Sequence, residues 1–465
     1  MRVKRIALSC TVALLLGGIP NARVQASSCP SATPAAERCD AKAAPLDLAR
    51  RADELKNLKW GMFVCWSFST FSGREWTPGV KDVSFFKATT VDTDQWARTA
   101  KEAGMGYILF LTKHHDGFCL WDTKTTDRKV THAPLGRDVL ADVRKSCDKY
   151  GIKLALYFSE GEFKDNKDYH PGGYTPEMKK AQLKELLTQY GPIEYIWFDH
   201  AQTDGGLSHE ETTAWCHQCQ PGTLIGYNSG KKSGEVRIGE RGRPRPIDPK
   251  SGYLAAEFTY PILPDHKGGA QWFYSLPEHD HLCLSATALY RDYAAAVKHG
   301  NIFSVDVGPD YNGKLREIDV KTLREVGAMI KNPPPAPPMP VSQDKPATAS
   351  SVWDKNYDAS RAFDGDELTR WGAGKGTRSG WLEVDLGSET SIASVRIVEH
   401  FRRIQDFAIE YQQGDAWKAL AHGTTAGDEK VIAFAPVSAR RVRLNIFKAS
   451  DTPTIEEFQI FASKN

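Results

Sequence analysis

Lys113-His114-His115-Asp116-Gly117-Phe118 comes just after the apolar run Met105 to Leu111. A buried strand that ends in two histidines and an aspartate sets a dense polar cluster where a structural turn needs only Gly or Asn. Further along, Ile196-Trp197-Phe198-Asp199 repeats the pattern, an apolar strand closing on one carboxylate. In a barrel of parallel strands, residues at the C-terminal strand ends converge on one site. Either motif alone can be read as turn or capping chemistry. The pair points to a site.

Working outward, apolar strand-like runs alternate with amphipathic helical ones. Candidate strands are Gly61–Trp66, Met105–Leu111, Ile152–Phe158, Ile193–Phe198, Thr223–Tyr227, Leu254–Phe258 and Ile302–Val307. Helical patterns cover Thr93–Glu102, Asp138–Tyr150, Pro176–Tyr190 and Leu284–Lys298. Such alternation argues for parallel βα units, most simply an α/β fold of the (β/α)8 TIM-like kind. The seventh strand is not legible, and residues 229–250 are too irregular and Gly/Pro-rich to assign. Residues 333–346 carry six prolines within eight residues from Pro333, a semi-rigid spacer that no helix or central strand continues through. Beyond it, the short alternating runs Trp381–Leu386, Ile392–Glu399, Asp406–Tyr411, Arg440–Ile446 and Glu457–Phe461 predict an antiparallel β-sandwich. The expected organisation is a signal peptide at 1–26, an N-terminal segment at 27–44, the barrel at 45–332, the linker at 333–346 and the sandwich at 347–465.

The leader reading rests on Arg2, Lys4 and Arg5, the apolar stretch Ile6 to Ile19, and the small-residue end Val24-Gln25-Ala26. It implies cleavage near Ala26, a secreted or periplasmic location, and no membrane span. The whole chain has 60 basic and 58 acidic residues; without the four basic residues of the leader the balance is 56 to 58. That near-neutrality offers no electrostatic case for nucleic acid or anionic membrane. Eight cysteines follow Cys10. Cys29 and Cys39 could bridge, and Cys216-His217-Gln218-Cys219 reads as a local disulfide or two buried thiols. A CxxC with no second pair is a weak zinc signal. Oligomeric state is not legible.

The motifs carry a resemblance. Trp60–Trp66, Lys113–Phe118 with Leu120-Trp121-Asp122, Tyr157-Phe158-Ser159, Trp197-Phe198-Asp199 and Val305-Asp306-Val307-Gly308-Pro309 occur in an order similar to glycoside hydrolase family 29, the α-L-fucosidases. The C-terminal part resembles a discoidin, or coagulation-factor type C, module like those of family 32 carbohydrate-binding modules. It does so through Ala362-Phe363-Asp364-Gly365-Asp366, Thr369-Arg370-Trp371, Trp381–Gly387 and Glu456–Ile460.

The resemblance implies a retaining exo-α-L-fucosidase that needs no catalytic cofactor and acts on a fucosylated glycan or glycoprotein. Retaining glycoside hydrolysis uses a carboxylate nucleophile and a second carboxyl as acid and then base. By similarity Asp199 is the nucleophile. Glu240 resembles the loop acid/base of the α1,3/4-acting branch, and Glu257, near a later strand end, is the alternative. A loop glutamate is commonly solvated surface, and a strand-end one can be an ion-paired scaffold residue. Fucose offers three hydroxyls and a methyl at C6, so its pocket needs polar ligands and an aromatic wall. His114 and His115 are the expected hydroxyl ligands. Trp66, Trp76, Tyr157 and Trp272 are candidate walls or donors.

Two departures shape the substrate reading. The family has His before the Trp of the first strand motif, and Cys65 stands here; glycine commonly follows the nucleophile, and His200 stands here. The first swaps a strong hydrogen-bonding group for a weak one. It favours a branch resembling core α1,3-fucosidases, which act on the innermost GlcNAc of N-glycans. The alternatives are a Lewis-type α1,3/4-fucosidase and a non-catalytic fucose-binding protein. In the C-terminal module, Asp364, Asp366, Thr369 and Glu456 resemble a structural calcium site of hard oxygen donors, against a plain Asp-Gly turn. Whether that module binds sugar is not legible.

Overall fold

The computed structural model describes residues 47–161, 174–200, 206–228, 233–264, 266, 270–335, 338–367, 369–427 and 429–463. The leader, Cys29 and Cys39 lie outside them. Eight parallel strands close into a barrel in sequence order. They are β1 (Trp60–Val64), β2 (Tyr107–Lys113), β3 (Lys153–Ser159), β4 (Tyr195–Asp199), β5 (Leu224–Tyr227), β6 (Val236–Arg237), β7 (Ala255–Pro261) and β8 (Ile302–Val307). The strand absent from the sequence reading is the sixth. It is two residues long, pairing Gly226 on one side and Ala255 and Ala256 on the other. Among the described residues no α-helix separates it from β5 or β7, so neither an apolar run nor a βα rhythm marks it.

Helices cover most of the remaining crossovers, and their starts follow local chemistry. Asp92, Asp138, Thr175 and Ser285 each accept a hydrogen bond from a first-turn backbone N–H, capping the helices Thr93–Glu102, Val139–Tyr150, Pro176–Gln189 and Ala286–Lys298. The helix His209–Cys219, which follows β4, begins with a capping box from Ser208 and Glu211. Its weak apolar periodicity hid it from sequence reading. Cys216 on this helix is a free thiol, whereas Cys219 is disulfide-bonded. The two therefore do not bridge each other.

Strand alternation sets the floor and the mouth of the barrel. Gly61 leaves room for the Tyr107 ring, since a methyl there would lie 2.5 Å from it. The Tyr107 hydroxyl pairs with Ser304 at 2.7 Å across the floor. One layer higher, Phe63, Leu111, Tyr157 and Trp197 face a cavity at the C-terminal ends of the strands. Gly308, just past β8, is required by close approach: a methyl there would come 1.8 Å from the Phe273 carbonyl oxygen.

The last barrel helix ends at Lys331. The second half of the proline-rich spacer joins the sandwich, with Val341 N–H donating to Ile460 O at 2.8 Å. The sandwich is antiparallel, built from β9 (Ala347–Ala349), β10 (Trp371–Gly372), β11 (Gly380–Glu399), β12 (Ile404–Gln413), β13 (Ala416–Gly423), β14 (Lys430–Ala449) and β15 (Thr454–Ala462). Two expected strands are one here. Trp381–Leu386 and Ile392–Glu399 form the 20-residue β11, which shifts register twice against β14. The module has its own core, centred on Phe363, Trp371, Phe407 and Phe458. No helix among the described residues is long and apolar enough to cross a membrane.

Candidate active site

The ends of β1 to β5, with the loops that follow β6 and β7, surround a cavity of about 290 Å³. That volume is at the small end for ligand pockets. Asp199 ends β4 inside it. Its Oδ2 accepts from the Tyr157 hydroxyl at 2.6 Å, and its Oδ1 accepts from Asn228 Nδ2 at 2.9 Å. The same Asn228 amide donates to Glu240 Oε2 at 2.8 Å. These two bonds, 2.9 and 2.8 Å end to end, cap the separation of the two carboxylate oxygens at 5.7 Å.

The environments of the two acids differ. Asp199 is held by two donors, which fix the direction of its carboxylate. Burial, and then the charge of Asp199, push the Glu240 carboxyl above the ordinary glutamate range, while the Asn228 bond opposes them. A carboxyl raised in this way, beside a second acid, is suited to hold a proton. Burial and the Asp199 charge also push the Tyr157 hydroxyl far up, so it stays a donor.

His114 and His115 both line the cavity. Burial, followed by the neighbouring imidazole, pushes His114 well below its usual value. Burial, followed by His200, does the same for His115. Both are therefore neutral near pH 7, each with one donor and one acceptor nitrogen. His115 Nδ1 meets Ser159 Oγ at 2.7 Å, while Nε2 lies 3.5 Å from Asp199 Oδ2. His200 stacks on His115 with ring centroids 3.7 Å apart. Its φ of 51° lies in the left-handed region. That backbone explains why glycine suits this position.

Most of the expected residues meet here. Cys65, Trp76, Tyr157 and Trp272 line the cavity together with Asp199 and Glu240. Trp66 does not. It is fully buried outside the barrel, its indole donating to Asp310 O at 2.9 Å and its ring edge-on to Phe86 and Trp96. Successive side chains of an extended chain face opposite ways, so with Cys65 turned inward Trp66 must turn outward. Glu257 does not line the cavity either. It lies beneath Trp197, whose indole donates to it at 3.3 Å, and burial pushes it up to about 7. Cys65 faces a second buried acid, Asp306 at the end of β8; burial and that neighbour push the thiol up, so it stays neutral.

Sequence reading missed Asn228, Glu75 and the lining role of His200. Asn228 had a signal, its place immediately after β5. Glu75 had none, since it reaches the cavity from the loop after the short helix Phe68–Ser72.

The chain matches the alpha-L-fucosidase family over residues 80–333. It belongs to that family. The fucosidase is therefore a glycoside hydrolase, and residues 346–458 match the F5/8 type C domain. It is 26% identical over 461 residues to alpha-L-fucosidase 1 of Arabidopsis thaliana, covering 88% of this chain and 87% of the relative. Among solved structures, a Ruminococcus gnavus glycoside hydrolase family 29 fucosidase in complex with fucose aligns with a TM-score of 0.51 at 21% identity, over 92% of this chain and 98% of that one. A family 29 member from an unknown rumen bacterium aligns at 0.52, with 23% identity, over 90% and 77%. At these identities the structural matches speak for the fold alone.

Among the described residues no group of three or more His, Cys, Asp or Glu is arranged to hold a metal ion. The expected calcium ligands of the fucosidase's second domain are only partly together. Asp364 Oδ2 accepts from Thr369 Oγ1 at 2.7 Å, and Asp364 Oδ1 accepts from the Asp366 N–H at 3.0 Å. Glu456 is engaged elsewhere, by His400 on one oxygen and by Arg243 at 2.8 Å on the other. Adjacent strand residues face opposite ways. Its neighbour Glu457 is the carboxyl beside Asp364, buried with one oxygen unpartnered and pushed up to about 8 by burial and then by the Asp364 charge.

The raised Glu240 sets a pH expectation. Its protonated form persists above the ordinary glutamate range, so kcat/KM on a glycan should fall as pH rises through that raised value. Glu240→Gln should lower kcat/KM by about 10²- to 10⁴-fold and remove the alkaline limb. An alkaline limb unchanged in that variant would reject Glu240 as the proton donor.

Proposed function

We propose that the protein hydrolyses α-L-fucosides with retention, by double displacement. The observation that carries this is the Asn228 amide shared by Asp199 and Glu240, which caps their facing oxygens at 5.7 Å. Retaining enzymes hold the two carboxyls about 5–5.5 Å apart and inverting ones about 6.5–9.5 Å to admit a water; an amide bonded to both acids favours the closer spacing. In this reading Asp199 attacks the anomeric carbon while Glu240 protonates the departing oxygen. A covalent fucosyl–Asp199 ester forms. Glu240, now a carboxylate, takes a proton from water, which attacks the same carbon and releases fucose. The Tyr157 and Asn228 donors aim the nucleophile. Neutral His114 and His115 line the cavity as ligands for the sugar hydroxyls, His115 through Nε2 because Ser159 holds its Nδ1.

For the substrate we favour α1,3-linked fucose, with the core α1,3 position on an N-glycan first. Its support is the resemblance together with Cys65, a weakly polar thiol where the family has a histidine. A Lewis-type α1,3/4 enzyme shares every catalytic residue and differs only in the aglycone. The non-catalytic alternative is disfavoured by two carboxyls held jointly in one cavity. The leader-like residues 1–26 add an exported location, checked by sequencing the N-terminus of exported protein for a start at Ser27.

The fit of calcium to the second domain is carried by Asp364, Glu457 and the Thr369 hydroxyl, oxygen donors around an unpartnered buried carboxylate oxygen. A hard cation there would relieve the repulsion between the two acids. Calcium at about a hundred times its Kd should stabilise the wild type by about 2.7 kcal/mol, and Glu457→Gln should abolish that gain. An equal melting shift in both proteins would sink the assignment.

The reaction itself is tested by NMR of the first-formed sugar from a fucosylated glycan. Retention gives α-fucose first; β-fucose first would end the double-displacement reading. Asp199→Ala should fall below about a thousandth of wild-type kcat. Azide should rescue Glu240→Ala and leave Glu257→Ala unchanged. Release should be fastest from core α1,3 glycans, then Lewis structures, then core α1,6. A preference for core α1,6 would overturn the substrate choice.

A further inference from the structure

Glu240 sits on a loop whose far side is held by the other domain. The loop turns tightly beside the cavity: Gly242 N–H donates to Gly239 O at 3.0 Å, and Arg241 N–H donates to Thr259 O at 2.7 Å. Arg241 has a φ of 49°, in the left-handed region. Three residues after Glu240, Arg243 turns away from the barrel. Its guanidinium donates to Glu456 Oε2 at 2.8 Å and lies 3.5 Å from the Glu367 carbonyl, both in the β-sandwich. The chain then returns to the barrel, where Arg245 N–H donates to Asn301 Oδ1 at 2.9 Å.

The sandwich end of this link is built for rigidity. Glu456 is 2% exposed on β15, and its second oxygen is bonded to His400 Nδ1. A buried carboxylate held by two charge-assisted bonds has little freedom, and losing one partner leaves charge uncompensated. Arg243 lies within about 10 Å of Glu240 along even a fully extended chain, so its anchorage restricts where the Glu240 backbone can go.

We propose that the β-sandwich is a positioning element for catalysis, in which Arg243 and Glu456 form a strut that fixes the loop carrying Glu240. The inference rests on Glu240 being the acid/base. A general acid must hold hydrogen-bond reach of its target, and a displacement of about 1 Å can cost about 10²-fold in rate. Asn228 grips only the head of Glu240. Thr259 of β7 holds the near side of the loop on both sides of Glu240, and the strut holds its far side. A second interdomain ion pair, Arg291 to Glu429 at 2.8 Å, joins the helix Ala286–Lys298 to the sandwich without touching this loop. It separates loop positioning from domain docking in general.

The test compares full-length Arg243→Ala, Glu456→Gln, Arg291→Ala and Glu240→Ala on two substrates. One is an α1,3-fucosylated glycan, whose leaving oxygen needs a proton; the other is α-L-fucosyl fluoride, whose leaving group departs without one. Arg243→Ala and Glu456→Gln should lose about tenfold in kcat/KM on the glycan and less than about twofold on the fluoride. The glycan loss should fall in kcat, Arg243→Lys should recover part of it, and Arg291→Ala should match wild type on both. Equal losses on both substrates, no loss, or a loss confined to KM would overturn the strut. Arg243 is on an exposed loop, so its variant folds even if Glu456→Gln melts early. If Glu240→Ala itself loses equally on both substrates, the acid/base assignment fails first and the strut with it. Selectivity in Glu240→Ala without selectivity in Arg243→Ala refutes the strut alone.

Discussion

Pairing of Trp60–Val64 with Ile302–Val307 closes the barrel, joining the first and last strands of the domain. Everything at the site depends on that closure. It brings eight strand ends into one ring, and the two-residue alternation of each strand then decides which side chains face inward. Cys65 and Asp306 face one another across the closing seam, and Asp199 stands at the end of β4 on the same rim. No local property of any one strand could assemble that ring.

Within the ring the chemistry is organised by neutral donors around one anion. Tyr157 and Asn228 donate hydrogen bonds to Asp199, while burial keeps Tyr157, His114 and His115 uncharged. Neutral groups thus surround Asp199, the proposed nucleophile. Glu240, at the mouth, shares the Asn228 amide and feels the Asp199 charge, which favours its protonated form. The one amide holds the two acids beside each other. The second domain reaches the same loop through Arg243 and Glu456, the contact on which the proposed strut rests.

What could be read in advance followed from the strength of local signals. Asp199, His114 and His115 were legible because each ends a strongly apolar strand, where barrel geometry leaves few other destinations. The helices Thr93–Glu102, Val139–Tyr150 and Ala286–Lys298 were legible to within two residues at their starts, because amphipathic periodicity runs over consecutive residues. β6 was not, because two residues carry no periodicity and its existence depends on Gly226 and Ala255 on either side. β13 was not, because Ala416–Gly423 lies largely at the surface and lacks a clean apolar face. Trp66 and Glu456 were misplaced for one reason: each is a neighbour in sequence of the residue that faces the expected way.

The sequence alone determined the two-domain order, the parallel barrel, the family and the nucleophile candidate, because apolar periodicity, capping and strand-end motifs are carried by consecutive residues. Only the tertiary structure decided the partners. It placed Asn228 between Asp199 and Glu240, put Glu257 beneath Trp197 outside the cavity, and gave Glu456 to Arg243 rather than to Asp364. Those outcomes depend on where distant strands end and which way each side chain turns. Such facts arise when the sheet closes and the two domains dock.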